Sequence, residues 1–388
     1  MVIFKKISFL IVVYFLSFIF LREIISNHRQ WAPNRLFVNH NQYNHTLSPN
    51  FPPEVIHEDD HNIARDYKVN SLGLRENDEI ILPKPKNEFR ILVVGDSFIL
   101  GNPNLIVQLE ANLNKVFGND QITFNVINCG TSSYSAILHL ARLKHQLLEL
   151  DPDAIIYFPD LTDVYDDTHR YLWLSKFDEK KRLVRVKAST RILRSKRRHK
   201  REINYFLNKI GIENQNLRDV RSPDCSRYYH IFDHAKENIN KLSKYTEQEL
   251  NFTLGFIKDY VEITKSNQIH LSISMYPHEP QIISEVEIKK SDQLYIYPHL
   301  PNQKIPGKIT VCETDMSSLY NRVFEKRVLS LSQKENIFFK SFYEPISQLV
   351  LSGKRLYLPN DMHFNGYGFD FLADLVTEWV VRNPQKSI

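Results

Sequence analysis

Five short runs rich in β-branched and aromatic residues recur along the chain, separated by stretches with helical apolar spacing. This alternation restricts the fold more than any other feature. The runs are 90–94 (RILVV), 122–127 (ITFNVI), 154–158 (AIIYF), 270–275 (HLSISM) and 337–339 (IFF). Nearly continuous apolar character in so few residues marks strands buried on both faces. Strands that alternate with helices form a parallel sheet covered on each side. Between the runs, 105–117, 135–150 and 247–265 show helix-compatible spacing, and 368–381 closes the chain as an amphipathic helix. In such sheets ligands bind beyond the carboxyl ends of the strands.

Composition removes other classes. With 388 residues, 42% hydrophobic and 24% charged, the chain can bury a sizeable core, which excludes collagenous and disordered classes. Three cysteines, none in a CxxC pair, cannot build a disulfide framework. The net charge of +5 is local: 180–201 holds 12 Lys or Arg and no acid, leaving 38 bases against 45 acids elsewhere. Such a run faces water or meets an anionic polymer or lipid headgroups. No nucleic-acid-binding signature accompanies it, so nucleic acid is not expected as a partner.

Residues 7–21 (ISFLIVVYFLSFIFL) form an uncharged apolar run preceded by Lys5 and Lys6 and followed by Arg22. No small-x-small cleavage site follows, which favours an uncleaved signal anchor over 1–30 rather than a cleaved signal peptide. The leading lysines would keep the amino terminus in the cytoplasm and the main domain outside. From there 31–88, rich in Asn, His and Pro, reads as a tether and lead-in, and 89–388 as one domain with a basic insertion at about 171–250. Within the tether, His57-Glu58-Asp59-Asp60-His61 formally matches the HExxH zinc motif. Pro52-Pro53 leave little room for a helix, and two extra aspartates favour a solvated acidic turn. No metal or other cofactor is called for.

Three turns carry the chemistry. Gly95-Asp96-Ser97-Phe98 follows the first apolar strand and precedes a helix, so Ser97 stands at the sheet's edge beside backbone N–H groups, where an acyl-transfer nucleophile is useful. Taken alone, such a turn also suits a plain helix cap. The spacing is not GxSxG, which disfavours an α/β-hydrolase elbow. Asn128-Cys129-Gly130-Thr131-Ser132-Ser133 follows the second strand. Near the end, Asn360-Asp361-Met362-His363-Phe364-Asn365 puts a histidine in a loop before Gly366-Tyr367-Gly368 and the last helix. A carboxylate nearby could hold such a histidine as a general base.

In their order and strand context, these turns resemble the SGNH (GDSL-type) hydrolase superfamily, as does Asn70-Ser71-Leu72-Gly73-Leu74-Arg75 upstream, which is similar to a segment of membrane-anchored bacterial members. The resemblance covers about 68–170 and 265–388. It implies a three-layer α/β/α sandwich with a five-stranded parallel sheet of flavodoxin-like order, and a serine esterase or O-acyltransferase acting on acylated extracytoplasmic glycans or related esters. Ser97 matches the nucleophile, its own N–H contributes to the oxyanion hole, and His363 matches the base. Ser133 stands where the family usually has glycine, which keeps a backbone donor but adds a side chain. Thr162 stands where the family has an oxyanion asparagine, so a shorter hydroxyl would donate. The family's DxxH aspartate is replaced by Asn360, with Asp361 one residue late; either side chain could orient the imidazole. These departures leave a second reading, a catalytically weakened SGNH-like protein that binds or helps assemble a surface polymer.

Overall fold

The computed structural model describes residues 36–51, 68–76, 78–188, 247–278, 281–282, 322–357 and 363–388. The apolar segment 7–21, the HExxH match at 57–61, the basic stretch 189–201, Asn360 and Asp361 lie outside the described residues. Among the described residues no helix is long and apolar enough to cross a membrane.

The chain enters through a hairpin of β1 (Phe37–His40) and β2 (Asn44–Leu47), then forms β3 (Glu88–Val94), the short helix α1 (Ser97–Leu100) and α2 (Pro103–Phe117). It continues through β4 (Thr123–Asn128), α3 (Ala136–His145), β5 (Ala154–Tyr157) and one helical turn, α4 (Asp163–Tyr165), extended by a wider turn to Tyr171. A ribbon of β6 (Ser175–Phe177) and β7 (Leu183–Val186) precedes α5 (Glu247–Ser266) and β8 (His270–Met275). Then come α6 (Val323–Lys334), β9 (Phe338–Ser341), α7 (Tyr343–Leu351), α8 (Gly366–Arg382) and a terminal turn, α9 (Pro384–Ser387).

Five parallel strands pair in the order β4-β3-β5-β8-β9. The period of two along each strand divides the core into two layers. Leu92, Val94, Ile155, Tyr157 and Ile273 face α3, α5 and α6. Ile91, Val93, Ala154 and Ile156 face α2, α7 and α8. Each fully buried aliphatic side chain contributes about 1.5–3 kcal/mol, so Ile156→Ala should cost roughly 2–5 kcal/mol. The order reverses at β3: the chain leaves it towards β4 on one side and returns to β5 on the other. That reversal opens a crevice at the carboxyl end of β3, where Ser97 lies.

The described parts of the lead-in pack against the domain. Leu36, Leu47, Phe51 and Val69 form a small core with Leu100, and Tyr134 donates its hydroxyl to the His45 carbonyl. The first part of the expected insertion packs against the domain as well. Leu183 and Val186 are buried in the larger core, Val186 N–H donates to Gln42 O at 2.8 Å, and Lys144 donates to the Leu183 carbonyl. Neither stretch has a clear apolar period, because each buries only a few side chains against surfaces built by distant residues.

Candidate active site

Ser97 opens α1 directly beyond β3. Asp96 caps this helix, its Oδ1 accepting from Phe98 N–H at 2.9 Å and from the Tyr276 hydroxyl at 3.1 Å. Burial, then the charge of Asp160, push the Asp96 carboxyl up to about 7. Ser97 itself remains partly exposed, and its N–H lies in the first turn, where no intrahelical acceptor exists.

The distant histidine is brought to it by an aromatic anchor. Tyr357 and Phe364 pair as an antiparallel bridge, and Asn365 caps α8 by accepting from Gly368 N–H at 2.8 Å. A Cβ on Gly368 would lie 2.0 Å from Leu356 O, so only glycine permits this close crossing. The Phe364 ring is fully buried, stacked on Tyr357 at 4.7 Å and set edge-on to Phe98 at 5.2 Å. With its neighbour locked this way, His363 Nε2 lies 2.7 Å from Ser97 Oγ. That distance is hydrogen-bond reach for a base that removes the serine proton.

The second turn is clamped to the first. Asn128 donates from Nδ2 to Ile99 O at 3.1 Å and accepts at Oδ1 from Gly130 N–H at 2.9 Å. Thr131 N–H donates to Gly95 O at 3.0 Å. The buried Arg142 holds the turn from behind, donating to Cys129 O at 3.0 Å and to the Thr131 hydroxyl. Ser133 adopts a left-handed backbone, φ 61°, a conformation glycine takes without penalty and other L-residues at a cost of about 1–2 kcal/mol. Its carbonyl accepts from the Tyr171 hydroxyl at 2.6 Å, while the Ser132 carbonyl accepts from His45 Nε2 at 2.9 Å.

The third turn differs from expectation. The Thr162 hydroxyl, expected to donate to an oxyanion, donates to Asp160 Oδ1 at 2.6 Å, and Thr162 N–H donates to the same oxygen at 2.7 Å. With that proton spent, Thr162 brings no side-chain donor to the oxyanion in this arrangement. Asp160 Oδ2 meets His278 Nε2 at 2.7 Å, both side chains 1% exposed. Burial alone would raise the Asp160 carboxyl, but the His278 charge and the Thr162 bonds outweigh it and hold it at about 2.

The expectations for Asn360 and Asp361 concern residues outside the described ones. The sequence reading missed Asp160, His278, Tyr276 and Arg142. A usable signal existed for three of them: Asp160 and Tyr276-Pro277-His278 each follow an apolar strand at its carboxyl end. Among the described residues, no group of three or more His, Cys, Asp or Glu side chains could hold a metal ion.

No family model matches the sequence, and no curated protein sequence matches it. Among solved structures, the chain is similar to an acetyl xylan esterase, AlAXEase, at 11% identity and TM-score 0.41, covering 75% of this chain and 98% of that one. It is similar to a GDSL-like lipase from Bacteroides thetaiotaomicron at 12% identity and TM-score 0.38, covering 78% and 93%. A lipase/acylhydrolase from Enterococcus faecalis matches at 10% identity and TM-score 0.35, covering 76% and 96%.

Proposed function

We propose that this protein is a serine esterase or O-acyltransferase whose nucleophile is Ser97 and whose general base is His363. The observation that carries this reading is the 2.7 Å approach of Ser97 Oγ to His363 Nε2 at the sheet's crevice. Ser97 Oγ attacks the acyl carbonyl carbon as His363 Nε2 takes its proton. The resulting oxyanion is held by the N–H groups of Ser97 and Ser133. Collapse breaks the ester C–O bond, and the departing alcohol takes the proton from His363, leaving an acyl-serine. Water, or the hydroxyl of an acceptor, then enters by the reverse sequence and frees Ser97. Asp361 or Asn360 orients the imidazole.

The substrate class we propose is an acylated glycan or related surface ester. Trp173 supports it: 62% exposed, it stands two residues from Tyr171, whose hydroxyl is fixed to the Ser133 carbonyl. An exposed indole offers a flat apolar face to a sugar ring. The apolar segment 7–21 would anchor the protein in the membrane with this domain extracytoplasmic.

The test is labelling by a fluorophosphonate together with turnover of p-nitrophenyl acetate. Wild type should react at Ser97, Ser97→Ala should not, and His363→Ala should turn over about 10²–10⁴-fold more slowly. An unreactive wild type would overturn this reading, and polymer binding that survives in Ser97→Ala would then favour a surface-polymer binder.

A further inference from the structure

Among the described residues, Asp160 and His278 form a fully buried ion pair near Ser97, and it costs the fold something to keep. Removing two charges from water carries a penalty of several kcal/mol per ion, which a packed apolar pair would avoid. Its position suggests what it does. Asp160 begins the turn after β5, and His278 ends the strand segment after β8, so the pair ties neighbouring strand ends together. Asp160 spends its other oxygen on the N–H and hydroxyl of Thr162, which fixes the start of α4.

From the other side, His278 is tied to the loop that presents the base. Its N–H donates to Gln281 Oε1 at 2.7 Å and its carbonyl accepts from Gln281 N–H at 2.9 Å. Tyr357 donates its hydroxyl to Pro277 O at 2.7 Å, and Tyr357 is the residue that pairs with Phe364 beside His363. Between the two histidines sits Phe98, its ring 5.2 Å from His278 and 5.0 Å from His363. A shift of His278 therefore reaches Ser97 through Phe98 and His363 through Tyr357.

We propose that His278 is a positioning residue for the acyl-transfer reaction: held by Asp160, it fixes the Thr162 turn, Phe98 and the His363 loop in one rigid frame. This rests on the reading of Ser97 and His363 given above. The ionised state follows from the same contacts. Burial would lower the His278 imidazole, but the adjacent Asp160 carboxylate raises it on balance. Titratable groups around the pair include Asp96, whose charge raises His278, Asp163, itself pushed well up by burial and by Asp167, and His139, Asp166 and Tyr276, each of which feels the Asp160 charge.

The experiment compares wild type with His278→Gln, His278→Leu and Asp160→Asn. Glutamine keeps a neutral donor near the Nε2 position; leucine removes it. His278→Leu should lose about 10²-fold in kcat with KM changed less than about 3-fold, the size expected when reacting groups move by roughly 1 Å. His278→Gln should recover to within about 5-fold of wild type. Equal kcat in all forms, or loss confined to KM, would overturn the proposal. If His278→Leu does not fold, kcat and KM of His278→Gln and Asp160→Asn still decide.

Proton NMR separates this from the catalytic reading. A downfield imidazole N–H resonance, present at neutral pH and lost in His278→Gln and Asp160→Asn, reports the pair whether or not the protein turns over. Its absence in wild type overturns the positioning role. Its presence in a wild type inert to fluorophosphonate overturns the acyl-transfer reading and the rate role with it.

Discussion

Gly130→Ala probes the clamp between the nucleophile's helix and the oxyanion turn. A Cβ at this position would lie 2.3 Å from Leu100 N, 2.8 Å from Ile99 C and 2.8 Å from Leu100 Cα. All three are backbone atoms of α1, so no side chain can swing aside. The closest approach falls about 1 Å short of ordinary van der Waals contact, and the two turns must separate by something of that order. Overpacking of this kind costs about 1–3 kcal/mol, which at roughly 2–4 °C per kcal/mol lowers Tm by about 2–12 °C. The effect on rate should be larger. Ser133 N–H rides on the same turn, and a displacement of about 1 Å from productive geometry costs on the order of 10²-fold. Thermal unfolding by circular dichroism and p-nitrophenyl acetate turnover measure the two effects on the same sample. A variant with turnover within about 2-fold of wild type would refute the argument that these turns form one rigid unit.

Other substitutions test separate links. Ser133→Gly relieves the left-handed backbone at φ 61° but adds unfolded-state entropy, so unfolding free energy should stay level or rise by up to about 1 kcal/mol; a loss greater than about 1 kcal/mol would contradict this. Glu76 has its carboxyl pushed up to about 8 by burial, against the lowering effect of the Asn128 N–H it accepts from. Its folded pKa is raised, so its contribution to stability is full below about 4.5 and is lost as pH climbs towards 8. Glu76→Gln should therefore gain stability relative to wild type between pH 5 and pH 8, by about 4 kcal/mol at the upper end at roughly 1.4 kcal/mol per unit; parallel urea melts at the two pH values would show no such divergence if the carboxyl is solvated. Trp173→Ala should raise KM for an acetylated oligosaccharide by about 10-fold and leave p-nitrophenyl acetate kinetics within about 2-fold, since loss of a stacked aromatic contact is worth about 0.5–1.5 kcal/mol. Equal effects on both substrates would remove the glycan argument.

The sheet was legible because its signal is local. Residues 90–94 and 154–158 are apolar on both faces, and the intervening helices show their period, so the strand positions follow from the chain with shifts of a residue or two at the ends. The candidate nucleophile and base were legible for a similar reason: each sits in a short turn with its own glycines, next to an element the pattern identifies. The lead-in and the β6–β7 ribbon were not. Leu47, Phe51, Leu183 and Val186 are too few and too irregularly spaced to mark buried segments, and they are buried by partners far away in sequence.

Amino-acid order alone determined a parallel α/β core with Ser97 at the carboxyl end of its first strand, because apolar period and turn chemistry act over a few residues. It also placed His363 just ahead of the last helix. Tertiary structure decided what those residues touch. Only the folded chain turns the Thr162 hydroxyl to Asp160, pairs Asp160 with His278 across 118 positions, and holds Ser133 in a left-handed turn between Tyr171 and the clamp on α1. Each of these contacts joins elements whose separation along the chain carries no local signal, so the directions of the hydrogen bonds are set by how the helices and strand ends pack.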